Sequence, residues 1–127
     1  MKTINFKKCH GIGNDFILID LFSIRKDNDF LLNDTTYVKE ICNRRYGIGA
    51  DGVIFILPPI NEGDLCMKII NSDGSIPEMC GNGIRCLAKY IEEFTNINTD
   101  SNIIVETLAG NIQITFEKDG YIKVNMG

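Results

Sequence analysis

A chain of 127 residues, 44% hydrophobic and 24% charged, has the make-up of one globular domain and excludes disorder. Thirteen basic against seventeen acidic residues leave a net charge of −4, which argues against nucleic acid or anionic lipid as a partner and favours a small molecule. The longest apolar run, Val53 to Leu57, falls far short of the ~20 residues that span a bilayer, and the first eight residues lack a signal peptide's apolar block. No membrane partner and a cytoplasmic location are expected.

Twenty-one isoleucines against three alanines lean toward β structure, because branched side chains fit a pleated surface. Ile4 to Cys9 alternates apolar and polar residues, and Phe16 to Leu21 is mostly apolar. Both are predicted strands. Asp34 or Thr35 then caps a helix that turns Val38, Ile41, Cys42 and Tyr46 inward, with Gly47 as its stop. Gly52 to Leu57, closed by Pro58-Pro59, reads as a strand buried on both faces, and Leu65 to Asn71 as another, ending in the turn Asn71-Ser72-Asp73-Gly74-Ser75. A second helix opens after Gly83, with Ile84, Leu87, Ala88 and Ile91 on one face and Lys89, Glu92 and Glu93 toward water. Ile103 to Thr107, Asn111 to Phe116 and Tyr121 to Asn125 form a meander with breaks at Ala109-Gly110 and Asp119-Gly120. Ser23 to Asn33 and Pro58 to Asp64 are loops too short to link domains.

Three glycine-rich stretches interrupt this pattern: His10 to Phe16, Tyr46 to Gly52 and Cys80 to Cys86. Singly each reads as a tight turn; together, carrying amides and a thiol, they suggest one shared pocket. Cys80 falls just ahead of the second helix, where unpaired N–H groups and the positive end of the dipole favour a thiolate. The same N–H groups, of Gly81, Asn82 and Gly83, can instead hold a carboxylate. The bland alternative is a small buried thiol. Five cysteines at irregular spacing do not form a disulfide framework, and Cys42, Cys66 and Cys86 are expected in the core. His10 is adjacent to Cys9 on a strand, so the two side chains point to opposite faces and a Cys-His couple is not expected. Zinc would need closer thiol pairs than Cys80 and Cys86 provide, Gly11-Ile12-Gly13 lacks the third glycine of a dinucleotide fingerprint, and no Gly-Lys-Ser/Thr occurs. Neither metal nor nucleotide is expected.

His10-Gly11-Ile12-Gly13-Asn14-Asp15-Phe16, Arg45-Tyr46-Gly47-Ile48-Gly49-Ala50-Asp51-Gly52, and Asn71 to Ser75 followed by Met79-Cys80-Gly81-Asn82-Gly83-Ile84-Arg85-Cys86 closely resemble, in order and spacing, the amino-terminal half of diaminopimelate epimerases. The resemblance implies an α+β fold, a mixed sheet curled into a barrel around a central helix, for which the second helix is the expected occupant. It implies inversion of one α-carbon of LL-diaminopimelate to the meso form, for lysine and peptidoglycan synthesis, with no pyridoxal phosphate, metal or other cofactor. It places Cys80 as one of two proton-transferring thiols and Asn14, Asn71, Gly81 and Asn82 at the substrate. Gly52 stands where some members carry a substrate-contacting glutamine, a bond glycine cannot make.

The resemblance also places the second catalytic cysteine in a similar second domain after Gly127, so residues 1–127 are expected to form an amino-terminal epimerase domain that folds but is inactive alone. A homodimer is expected of the full-length enzyme. Two rival readings remain: another cofactor-independent racemase or isomerase of the same superfold, and a binding module for an amino acid or small anion. Replacing Cys80 separates the last from an enzyme.

Overall fold

The computed structural model describes residues 6–11, 13–22, 35–78, 80–117 and 121–125. The predicted caps and breaks at Asp34, Asp119 and Gly120, and the start of the first strand, lie outside them. Seven strands and two helices follow in the order β1 (Lys7–His10), β2 (Asp15–Asp20), α1 (Thr35–Cys42), β3 (Gly52–Leu57), β4 (Leu65–Asn71), α2 (Gly81–Phe94), β5 (Ile103–Thr107), β6 (Gly110–Phe116) and β7 (Ile122–Asn125). The strands form one sheet in chain order. Neighbours are antiparallel except β2 with β3 and β4 with β5.

Each parallel pair is joined through a helix. Crossovers of this kind are right-handed, and β3 and β4 run in opposite directions while the sheet keeps extending to the same side. The two helices must therefore land on opposite faces, as they do. α1 covers the outer face, where Val38 and Cys42 pack with Ile17, Ile19, Val53, Phe55 and Ile70. α2 fills the inner face, where Ile84, Leu87, Ala88 and Ile91 pack with Leu18, Ile54, Ile69, Val105 and Ile114. The sheet curls around α2 into a half-barrel, so that the helix touches both β2 and β7. Sandwiched between the helices, β3 is buried on both faces, as its unbroken apolar run predicts. Among the described residues no helix is long and apolar enough to cross a membrane.

Two expectations are corrected. α1 ends at Cys42, and Tyr46 is 82% exposed rather than inward. The reason is local: the Asn43 side-chain oxygen accepts the N–H groups of Arg45 and Tyr46 and turns the chain away. Gly47 does not stop the helix but lies against its end, where a Cβ would stand 2.2 Å from the Glu40 carbonyl oxygen. The second correction is that α2 begins at Gly81, ahead of Gly83, with Cys80 as its N-cap.

Candidate functional site

The parallel register of β2 and β3 sets Phe16 beside Gly52, so Asn14 and Asp15 meet Asp51 at one end of the sheet. β4 runs the other way and ends there too, with Asn71 opposite Gly52. From Asn71 the chain turns through residues 72–75 and reaches the start of α2. The first turn of that helix is pinned to the loop before β2, because Asn82 Nδ2 donates to Asn14 Oδ1 at 2.7 Å. Gly11 fits closely here: its N–H bonds the Asn14 carbonyl at 2.7 Å, and a Cβ on it would touch Asn82 Cβ and Cys86 Sγ at 3.7 and 3.6 Å.

Cys80 is half-buried at the edge of the inner core. Its backbone is extended, with φ −139° and ψ 119°, its carbonyl accepts the Ile84 N–H at 3.0 Å, and its thiol makes no capping bond. Gly81 is exposed with open space around it, whereas Gly83 is buried, and a Cβ there would stand 3.0 Å from Ile69 Cδ1. That glycine lets the helix close onto β4. Asn71 lies at the same end of the sheet, but its side chain serves its own turn, with Nδ2 donating to Ser75 Oγ at 3.1 Å. Asp73 accepts the Ser75 hydroxyl at 2.5 Å, and that bond lowers its carboxyl from the ordinary value. Of the residues expected at the substrate, Asn14 and Asn82 are thus bonded directly and Cys80 and Gly81 adjoin them. Asn71 shares the rim of the sheet without a bond to either.

Sequence reasoning missed the charged group behind Asn14. Asp15 heads a strand that is buried at every position, a setting in which a carboxylate needs partners for its charge. Arg44 supplies it with a forked pair of bonds, Nη1 to Oδ2 at 3.1 Å and Nη2 to Oδ1 at 2.7 Å, and Lys8 Nζ lies 3.5 Å away. The Arg44 guanidinium holds the Asp15 carboxyl well below the usual carboxylate range, and the same bonds keep Arg44 protonated. Arg44 Nη2 also reaches Asp51 Oδ1 at 3.2 Å, and Asp51 Oδ2 accepts from the Asp15 backbone at 2.9 Å and from Asn14 Nδ2 at 3.4 Å. These groups line an open cleft of about 340 Å³ together with His10 and Gly13.

The other thiols sort as expected except Cys66. Cys42 and Cys86 are buried, and burial pushes them up to about 11 and about 12. Cys66 is only half-buried, because alternation along β4 turns it away from the face that holds Leu65 and Met67; desolvation still raises its thiol. Cys9 packs on the inner core beside Cys86, while His10 is exposed. Both cysteines line a second groove of about 330 Å³ between β1 and α2, bordered by Lys7, Tyr90 and Phe94.

The family model described as diaminopimelate epimerase matches residues 6–127. A diaminopimelate epimerase of Prochlorococcus marinus is 50% identical over 123 residues, which are 97% of this chain and 43% of that protein. A chloroplastic one from Oryza sativa is 42% identical over 126 residues, 99% of this chain and 34% of that protein. The chain therefore spans less than half the length of these curated relatives. Among solved structures, a phenazine biosynthesis protein of Bacillus anthracis aligns with 98% of this chain and 40% of its own, with a TM-score of 0.68 at 18% identity. A hydroxyproline epimerase from Agrobacterium vitis gives 0.65 at 15%, over 94% of this chain and 40% of that one. At such identities the likeness is one of fold.

Proposed function

The chain belongs to the diaminopimelate epimerase family, and from that premise we propose that it is the amino-terminal half of an enzyme that inverts one α-carbon of LL-diaminopimelate to give the meso form. An amino-acid α-proton is a weak acid, so inversion needs a base on one face of the carbon and an acid on the other. Cys80 is one of the two. As thiolate it takes the α-hydrogen, so that a C–H bond becomes an S–H bond; a thiol on the far side gives its proton to the opposite lobe. No net oxidation occurs, and the roles reverse with direction. The second thiol belongs to a similar second domain, and residues 1–127 alone do not epimerise. Asn14, Asn71 and Asn82 hold the polar groups of the amino acid, while the N–H groups of Gly81 and Asn82 stabilise its carboxylate as charge develops. The enzyme works in the cytoplasm without a cofactor, and its full-length form is a homodimer.

The observation that carries this reading is the position of the half-buried Cys80 as the N-cap of α2, next to an Asn82 bonded to Asn14 at 2.7 Å. A half-buried thiol, a helix start and two bonded amides at one end of the sheet support the reading. The test is α-proton exchange in heavy water and LL-to-meso conversion, measured on the chain alone and mixed with the carboxy-terminal half of a full-length relative. The mixture should turn over, and Cys80→Ser should abolish turnover while largely keeping ligand affinity. A Cys80→Ser mixture as active as the parent would refute the catalytic role, and robust turnover by the chain alone would refute the need for a partner domain.

A further inference from the structure

The Asn14–Asn82 couple has a direction. An asparagine amide is nearly symmetric in shape, so either end could face its neighbour; hydrogen bonding alone decides which does. At Asn14 the deciding group is Asp51. Its carboxylate only accepts, and its Oδ2 already takes the Asp15 N–H at 2.9 Å, so Asn14 must present its NH2 end to Asp51, as it does at 3.4 Å. That leaves Asn14 Oδ1 toward the helix, where it receives Asn82 Nδ2 at 2.7 Å. Turning Asn14 over would set oxygen against oxygen at Asp51 and NH2 against NH2 at Asn82.

Asp51 is itself fixed. Its backbone N–H bonds the Asp15 carbonyl at 2.9 Å and its carbonyl accepts the Ser72 N–H at 2.8 Å, which ties it to the start of β2 and to the turn after β4. Its Oδ1 is held by the same Arg44 Nη2 that grips Asp15. We propose that Asp51, locked by Arg44, is a positioning residue that sets the direction of the Asn14–Asn82 amide pair at the head of α2, and so the pattern of donors and acceptors that the substrate meets. The geometric half of this stands on the bonds above; its consequence for substrate rests on the function proposed in the preceding section.

The two halves are read separately. In the chain alone, Asp51→Asn removes the accept-only group: an amide there must either turn its NH2 against Arg44 or give up its hold on Asn14. Nitrogen-15 spectra should show the side-chain NH2 signals of Asn14 and Asn82 moving, and the Asn82 amide protons exchanging about five- to tenfold faster, the equivalent of one ordinary hydrogen bond, with backbone dispersion retained. Unchanged exchange at Asn82 would overturn the proposal. Should Asp51→Asn fail to fold, Arg44→Lys, which keeps the charge but breaks the fork, is read by the same signals. In the reconstituted mixture, Asp51→Asn should raise KM for diaminopimelate about tenfold while kcat changes less than about threefold. An unchanged KM would overturn the link to substrate. Failure of the epimerase reading is a different result, turnover that survives Cys80→Ser, and it leaves the amide spectra as they are.

Discussion

Gly81 separates what the fold requires from what a ligand requires. It is the first residue of α2 and exposed, a Cβ built on it meets nothing within 4 Å, and its φ is not positive. Nothing in the fold calls for glycine there. Replacing a glycine inside a helix by alanine stabilises by about 0.5–1 kcal/mol, an upper bound at this first position. For 127 residues, with an unfolding entropy of roughly 2.1 cal/mol/K each, that raises Tm by at most about 2–4 °C. In the proposed site the same methyl is harmful. Helical Cα–Cβ bonds tilt toward the amino terminus, so a methyl at 81 leans into the space ahead of the helix, where a carboxylate must come within ~2.9 Å of the backbone N–H groups. Gly81→Ala should therefore melt higher and bind diaminopimelate at least about tenfold more weakly, a loss of ~1.4 kcal/mol. Thermal unfolding by circular dichroism and α-proton exchange in the reconstituted mixture, at substrate well below KM, measure the two effects. A variant that melts higher and exchanges at the parent rate would refute the assignment of this helix start to the substrate.

Two further outcomes follow from the titrating groups. Glu106 accepts the N–H groups of Ile60, Asn61 and Gly63, and Asp15 holds the Arg44 fork; both carboxyls are lowered, Glu106 chiefly by the Gly63 N–H and Asp15 chiefly by Arg44. Their contribution to stability is complete above the unfolded values of about 4 and is lost as pH falls through the lower folded ones. The urea midpoint should hold steady from pH 7 to about 5 and drop below about 4, with Glu106→Gln removing part of the drop; a midpoint unchanged down to pH 3 would contradict both assignments. Among the thiols, burial leaves Cys42 and Cys86, at about 11 and about 12, with no more than about one thiolate in a thousand at pH 8. Iodoacetamide should modify Cys80 in the folded chain well before either of them, and peptide mapping that finds Cys86 alkylated first would place the reactive thiol elsewhere.

Periodicity located the strands well because branched and aromatic residues line buried faces: Gly52–Leu57, Leu65–Asn71 and Ile103–Thr107 stand as the pattern predicts. It failed where local chemistry overrode it. Gly81 and Asn82 are poor helix formers, so a helix opening after Gly83 was the natural reading; burial of Gly83 and Ile84 against β3 and β4 extends α2 back to Gly81. Tyr46 fitted the apolar stripe of α1, but the side chain of Asn43 ended that helix first. The glycine stretches, Cys80 and the asparagines were legible because turn-forming and chemically active residues stand out against an isoleucine-rich background. The Arg44 group was not. Its partners lie 29 and 7 residues away in sequence, and no period tells which of thirteen cations meets which of seventeen carboxylates. A carboxylate heading the apolar run Phe16 to Ile19 was the available signal.

The place where the site forms follows from strand direction. Parallel neighbours start at the same end, so the residues just before β2 and β3 are side by side; an antiparallel neighbour finishes where they start, so β4 delivers Asn71 to the same rim. α2 follows β4 and must begin near the point where that strand ends, which puts its positive end, with Cys80, on the rim as well. This bears on how the carboxylate of an amino acid is held by a chain with a net charge of −4. Arg44, the cation lining the cleft, is committed to Asp15 and Asp51. In the proposed reading the positive potential offered to the substrate carboxylate then comes from the backbone N–H groups at the start of α2, and the charged side chains behind them serve to aim amides. In that reading, backbone dipoles and aimed amides lower the cost of a carbanion-like transition state.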